Sequence, residues 1–181
     1  MAQTTFQGPV RSLNGFITQG PNNVVALSTS ANTTLTVAAH AGKILTIGGT
    51  LAANRTITLP TINVSAYSNV SGPGADGNSP NNQGAVFIFF IPTTIATSSL
   101  KIGTDGTDKF VGSILTVDTD SSGAMAGFAP GATNDFINLN GGTTGGVAGS
   151  YIQITALSSA KYMVQGVVNC TGNPATPFAD S

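Results

Sequence analysis

The sequence predicts an all-β fold: a single-domain β-sandwich, or jelly-roll, preceded by an extended N-terminal arm. Three observations carry that prediction. Some ten short stretches of β-branched and aromatic residues are separated by Gly, Pro, Asn and Asp turn signals. No window shows a 3.6-residue apolar period with helix caps. The composition is also that of strands and turns, with 23 glycines, abundant Thr, Ser and Asn, and no Glu at all.

The domain is read as residues 23–169, between an arm at 1–22 and a polar, proline-containing tail at 170–181. The arm carries Phe6, Val10, Leu13, Phe16 and Ile17 without a regular period. The steps Gly8-Pro9 and Gly20-Pro21 keep it extended. Its apolar side chains call for a partner surface, either another molecule or the open end of its own sandwich. Phe6, Arg11 and Phe16 are the candidate contact residues, with Arg11 the one charge available to set register.

Asn23–Leu27 begins the strands, and Thr33–Val37 alternates polar and apolar residues. Ala38–Lys43 is read as a turn before Ile44–Ile47. Arg55–Leu59 alternates cleanly and stops at Pro60, which puts Ile57 and Leu59 on one face. A long irregular stretch, 61–83, contains Ser71-Gly-Pro-Gly-Ala-Asp-Gly77 and reads as a surface loop. Gly84-Ala-Val-Phe-Ile-Phe-Phe-Ile-Pro92 holds the one long uninterrupted apolar run. Its length and residue types predict a central strand covered on both faces, well short of the ~18 residues of a membrane helix. Ser99–Ile102 and Lys109–Val117 are two further strands, and 118–134 is a second loop. Phe136–Leu139 follows, then the glycine-rich link Gly141–Gly146. Tyr151–Ile154 and Tyr162–Val168 form a closing hairpin around Ser158–Lys161. No internal repeat of fixed period is visible.

Composition narrows function. With 181 residues the chain can bury a sizeable core. Charged residues are only 7% of it, against roughly 25% in ordinary globular chains. Six Lys and Arg against seven Asp leave a formal charge of −1, which excludes a basic footprint for nucleic acid and electrostatic attachment to anionic lipid. A surface so poor in charge is expected to be covered by other subunits. The opening Met1-Ala-Gln-Thr-Thr5 lacks the basic start and apolar core of a secretion signal. The five Asn-x-Ser/Thr sites are accordingly expected to go unread.

No catalytic set assembles from the sequence. The single histidine, His40, sits in a turn and is read as solvated, not as a triad base. Gly42-Lys43 lacks the following Ser or Thr and the upstream glycine of a phosphate loop. One His and one Cys cannot hold zinc, and the lone Cys170 is read as inert. Asp105 and Asp108 sit in a turn, where Asp serves the backbone. Asp118-x-Asp120-x-Ser122-Gly123 copies the first half of a calcium loop, but the closing Glu has no counterpart at Ala129. A polar turn is the better reading, so no metal and no cofactor are expected, and the chain is read as not an enzyme.

The order and spacing of several short pieces resemble one family. These are Leu35-Thr-Val37, Ala41-Gly-Lys-Ile-Leu-Thr-Ile47, Thr56-Ile-Thr-Leu-Pro60, Gly84-Ala-Val-Phe-Ile-Phe89, Asp108-Lys-Phe-Val-Gly112, Tyr151-Ile-Gln-Ile154 and Lys161-Tyr-Met-Val-Gln-Gly166. The opening Phe6-Gln-Gly-Pro-Val-Arg-Ser-Leu-Asn-Gly-Phe16 is similar to the start of virion proteins of marine tailed phages. Together, over about residues 6–168, they resemble capsid decoration (cement) proteins of such phages, those infecting cyanobacteria included. The resemblance implies a β-sandwich that sits as a homotrimer on the exterior of an icosahedral virion, bound to the major capsid protein, with no catalytic residues. Two features depart from it: Tyr162 stands where relatives often carry Trp, and loop 61–83 is longer. A trimeric head- or tail-fibre module binding host glycans through loops 61–83 and 118–134 is the rival class.

Overall fold

The computed structural model describes residues 23–64, 82–120 and 123–180. The arm residues Phe6, Arg11 and Phe16, and most of loop 61–83, lie outside the described residues.

The chain is all-β, as its composition predicts, with its strands in two mixed sheets packed over one apolar core. The strands are β1 (Val24–Ala26), β2 (Thr33–Thr34), β3 (Ile44–Thr46), β4 (Arg55–Thr58), β5 (Val86–Phe90) and β6 (Leu100–Gly103). There follow β7 (Lys109–Asp118), β8 (Met125–Phe128), β9 (Phe136–Leu139), β10 (Val147–Ser158), β11 (Lys161–Cys170) and β12 (Phe178–Ala179). The larger sheet runs β1-β3-β5-β10-β11-β7-β8, the smaller β12-β9-β6-β4-β2.

Between β1 and β6 successive strands alternate between the sheets, and each lies parallel beside the strand two before it. The chain therefore winds through stacked turns in the manner of a β-solenoid. Val24 pairs with Ile44 and Ile44 with Ile88. The second turn is thus more than twice as long as the first, because it includes the 61–83 stretch, and no fixed period shows in the sequence. From β7 onward most pairings are antiparallel, with β11 and β7 parallel. A jelly roll is built from antiparallel strands; this sandwich mixes parallel and antiparallel pairings in both sheets.

Alternation places the core. Leu45, Phe87, Phe89, Ile152, Ile154, Tyr162 and Val164 point inward from the larger sheet, while Ile57, Leu59, Leu100, Ile102, Ile137 and Leu139 meet them from the smaller. Ile57 and Leu59 do share a buried face, as their spacing predicts.

Four expectations are revised. First, β5 is an interior strand between β3 and β10, but among the described residues it is buried on one face only: Phe87, Phe89 and Ile91 are buried, while Phe90 is 37% exposed. Second, Thr33–Val37 is not one strand. The strand ends at Thr34, and Thr36 caps a one-turn helix α1 (Val37–His40), its hydroxyl accepting the Ala39 N–H at 3.3 Å. Third, the 118–134 loop contains β8, which pairs with β7. Fourth, the sheet continues into the 170–181 tail, where β12 pairs with β9 and buries Phe178.

The closing hairpin is present as expected. Ser158 and Lys161 are partners around Ser159 and Ala160, with Ala160 at φ +64° and a register shift between Ala156 and Ser158, the mark of a turn closed by a bulge.

Candidate interaction surface

The outward face of the larger sheet is read row by row from its register. On the inner side, Val25, Leu45, Phe89, Ile152, Gly166, Ile114 and Phe128 are successive partners across all seven strands, an apolar row that meets the core. One residue along, the chain turns its other face to solvent. There Ala26, Thr46, Phe90, Tyr151, Val167, Leu115 and Gly127 are successive partners.

A sheet with one face on a core and the other in water alternates apolar-in and polar-out, which would make this outer row polar. Here Phe90, Tyr151, Val167 and Leu115, on four adjacent strands, are all exposed. The next row begins with exposed Val24 and Ile44, continues through half-buried Ile88, and ends in Gln153, Gln165 and Ser113. Beyond it lie Val86, Thr155, Met163 and Val111. None of these three rows contains a charged side chain. The Tyr151 hydroxyl donates to Gln153 Oε1 at 3.0 Å, so the polar groups on the face bond one another.

Among the described residues of these strands, charge enters the face at one end, where Lys109 and Lys161 are register partners. Lys109 is committed: its ammonium donates to Asp135 Oδ2 at 3.0 Å and to the Gly106 carbonyl at 2.7 Å.

The polar residues singled out in the sequence are used by the backbone. Asp108 Oδ2 accepts the Ile62 N–H at 2.9 Å, and its own carbonyl accepts the Thr104 hydroxyl at 2.7 Å. Burial pushes the Asp108 carboxyl up, reinforced by Asp105 and opposed by the Ile62 N–H and Lys109. Asp105 accepts N–H groups of Thr107 and Asp108. Burial acts to raise its carboxyl, yet hydrogen bonds from the Thr61 side chain and these amides hold it below its ordinary value. Tyr162, read from the resemblance as the counterpart of a Trp, is wholly inside the core, and its hydroxyl donates to the Pro60 carbonyl at 2.5 Å. The phenol is pushed far up, by burial first and then by Asp108 and Asp105. These bonds tie the exit of β4 to the β6–β7 turn and to β11.

His40 ends α1 and its Nδ1 accepts the Thr36 N–H at 2.9 Å, a local bond. Asp118 Oδ1 accepts the Asp120 N–H and Asp120 Oδ2 the Gly172 N–H. The carboxylates of the half calcium loop thus bind backbone amides, and Ser121 and Ser122 lie outside the described residues. Cys170 is buried beside them, and burial followed by the two Asp charges pushes its thiol up, away from the reactive thiolate. Among the described residues no group of three or more His, Cys, Asp or Glu is placed to hold a metal ion, and no helix is long and apolar enough to cross a membrane. An open cavity of about 750 Å³ lies between α1 and the 60–63 segment, lined among the described residues by Leu35, Val37, Pro60, Ile62, Asn63 and Asn82, none of them titratable.

Sequence reasoning missed the outer face. The signal was available: Val86, Ile88 and Phe90 carry the second parity of β5, and Val111, Leu115 and Val117 that of β7. In β5 apolar residues at both parities predict burial on both sides, whereas in β7 they predict a partly buried strand.

No family model, no curated protein and no solved structure matches the chain.

Proposed function

We propose that the protein is a non-catalytic structural component of a virion, decorating the outside of an icosahedral phage head as homotrimers that bind the major capsid protein. The observation that carries the proposal is the outer face of the seven-stranded sheet, which exposes the row Phe90, Tyr151, Val167 and Leu115 and carries no charged side chain across three successive rows. Monomeric proteins seldom leave so broad an apolar surface in water. The 7% charge content and the sequence resemblance point the same way. A decoration protein stabilises the shell by mass action: it binds the assembled lattice and not the separated subunits, so it shifts the equilibrium toward the lattice.

The winding of β1 to β6 favours a second reading, a trimeric fibre module that binds glycans, since stacked parallel turns build elongated shafts as readily as compact heads. Electron microscopy of purified virions separates the two. Decoration predicts density on the head exterior at shell positions shared by several capsid subunits. Density confined to the tail or to projecting fibres, with glycan binding on an array, would replace the first reading by the second.

A further inference from the structure

We propose that the outer face of the seven-stranded sheet is the surface on which one copy of this chain packs against another, along the row Phe90, Tyr151, Val167 and Leu115. The inference deepens the preceding reading, resting on it only in that the copies associate.

Size argues for it first. Seven strands at ~4.8 Å spacing span about 29 Å, and a ten-residue strand runs about 33 Å. Allowing for the short outer strands, the face offers on the order of 800 Å², about one side of a standard protein interface.

Charge selects the occupant. A partner that brought Asp, Lys or Arg onto these rows would bury an ion with nothing to pair it, at a cost of several kcal/mol. The matching surface must be broad, apolar and uncharged, with a few hydroxyls and amides for Gln153 and Gln165 to meet. A second copy presents such a surface. The aromatic pair Phe90 and Tyr151 sits mid-row, the composition found at interface cores. The nearest charges, Lys109 and Lys161, stand at the end of the face, where a rim remains in water.

The test uses the full chain at tens of micromolar, its mass read by light scattering. The wild type is expected to be an oligomer. Val167→Lys and Leu115→Lys each change an exposed residue and should reduce the mass to that of the 18.1 kDa chain, with the far-ultraviolet spectrum and cooperative melting kept. Thr34→Lys, on the smaller sheet, should leave the oligomer intact. Val167→Cys gives a second readout that needs no dissociation: mild oxidation should link copies through it, whereas Thr34→Cys should not link. An oligomeric wild type whose two lysine variants keep its mass overturns the proposal and leaves the oligomeric reading standing. A monomeric wild type overturns both. Lysine variants that remain oligomers but no longer bind heads would assign the face to the shell. A wild-type monomer that associates only once residues 2–22 are removed would assign it to the chain's own N-terminal segment.

Discussion

Exchanging Phe89 and Phe90 for alanine, one at a time, probes the two faces of β5 within a single strand. Phe89 is 1% exposed and stands in register between Leu45 and Ile152. Truncating such a side chain removes its transfer free energy and leaves a cavity, together about 3–5 kcal/mol. Each kcal/mol is worth about 2–4 °C of Tm in a chain of this size, so Phe89→Ala should melt roughly 6–20 °C lower. Phe90 turns outward and is more than one-third exposed. Its truncation opens no enclosed cavity, and the partial burial lost is worth about 1–2 kcal/mol. Both should be measured by urea unfolding at neutral pH in the Val167→Lys background, so that contacts between copies do not enter. Equal losses at the two positions, or a larger loss at Phe90, would refute the one-sided burial of β5. Phe89→Asp goes further: an unpaired carboxylate in the core, added to the lost packing, should exceed much of an ordinary domain's ~5–15 kcal/mol and leave no folded population.

Three further outcomes are expected. Tyr162→Phe leaves the Pro60 carbonyl without its partner and should cost about 1–2 kcal/mol at neutral pH. Because the folded phenol is raised above its ordinary value of 10.0, the wild type should hold this stability below pH 10 and lose it as pH rises beyond, whereas the Phe variant should show a flatter alkaline limb in urea midpoints from pH 7 to 11. Gly112→Ala should be severe, about 3 kcal/mol or more, because φ is +111° and a Cβ would collide with the Val164 carbonyl oxygen of β11. Gly106→Ala, at φ +90° but in open space, should cost about 1 kcal/mol; similar melting of the two variants would count against the tight β7–β11 approach. Deleting residues 2–18, which removes Phe6, Arg11 and Phe16, should abolish attachment to empty heads while the remaining domain keeps its oligomeric mass and melting; undiminished decoration would show that the arm is not the anchor.

Much of the strand inventory is determined by local sequence, because alternation with period two is a local consequence of one buried face. Arg55–Leu59, Phe136–Leu139 and the 151–168 hairpin could be placed from their residues alone. So could the bonding of Asp105, whose carboxylate takes the Thr107 and Asp108 amides of its own turn; Asp108 instead accepts the Ile62 N–H from a distant part of the chain, which no local pattern shows. Met125–Phe128 and Phe178–Ala179 could not be so placed. They are four and two residues long, with Gly or Ala among them, and are strands only because β7 and β9 offer them edges. The alternation of Thr33–Val37 likewise extends the strand too far, and the Ala38–Lys43 turn begins with one turn of helix, because Thr36 caps Val37–His40.

Three things belonged to the tertiary structure alone. Parallel pairing of strands separated by whole turns of chain leaves no local mark, since register depends on which distant backbone lies alongside. The position of β5 within the sheet followed from the pairing of β3 and β10 with it. The covering of its outer face was undecidable from sequence for a plain reason. Apolar residues at both parities look the same whether the second face meets a layer of the same chain or is left bare. Only the arrangement of all seven strands shows that Phe90, Tyr151, Val167 and Leu115 form one row, and that among the described residues nothing buries them.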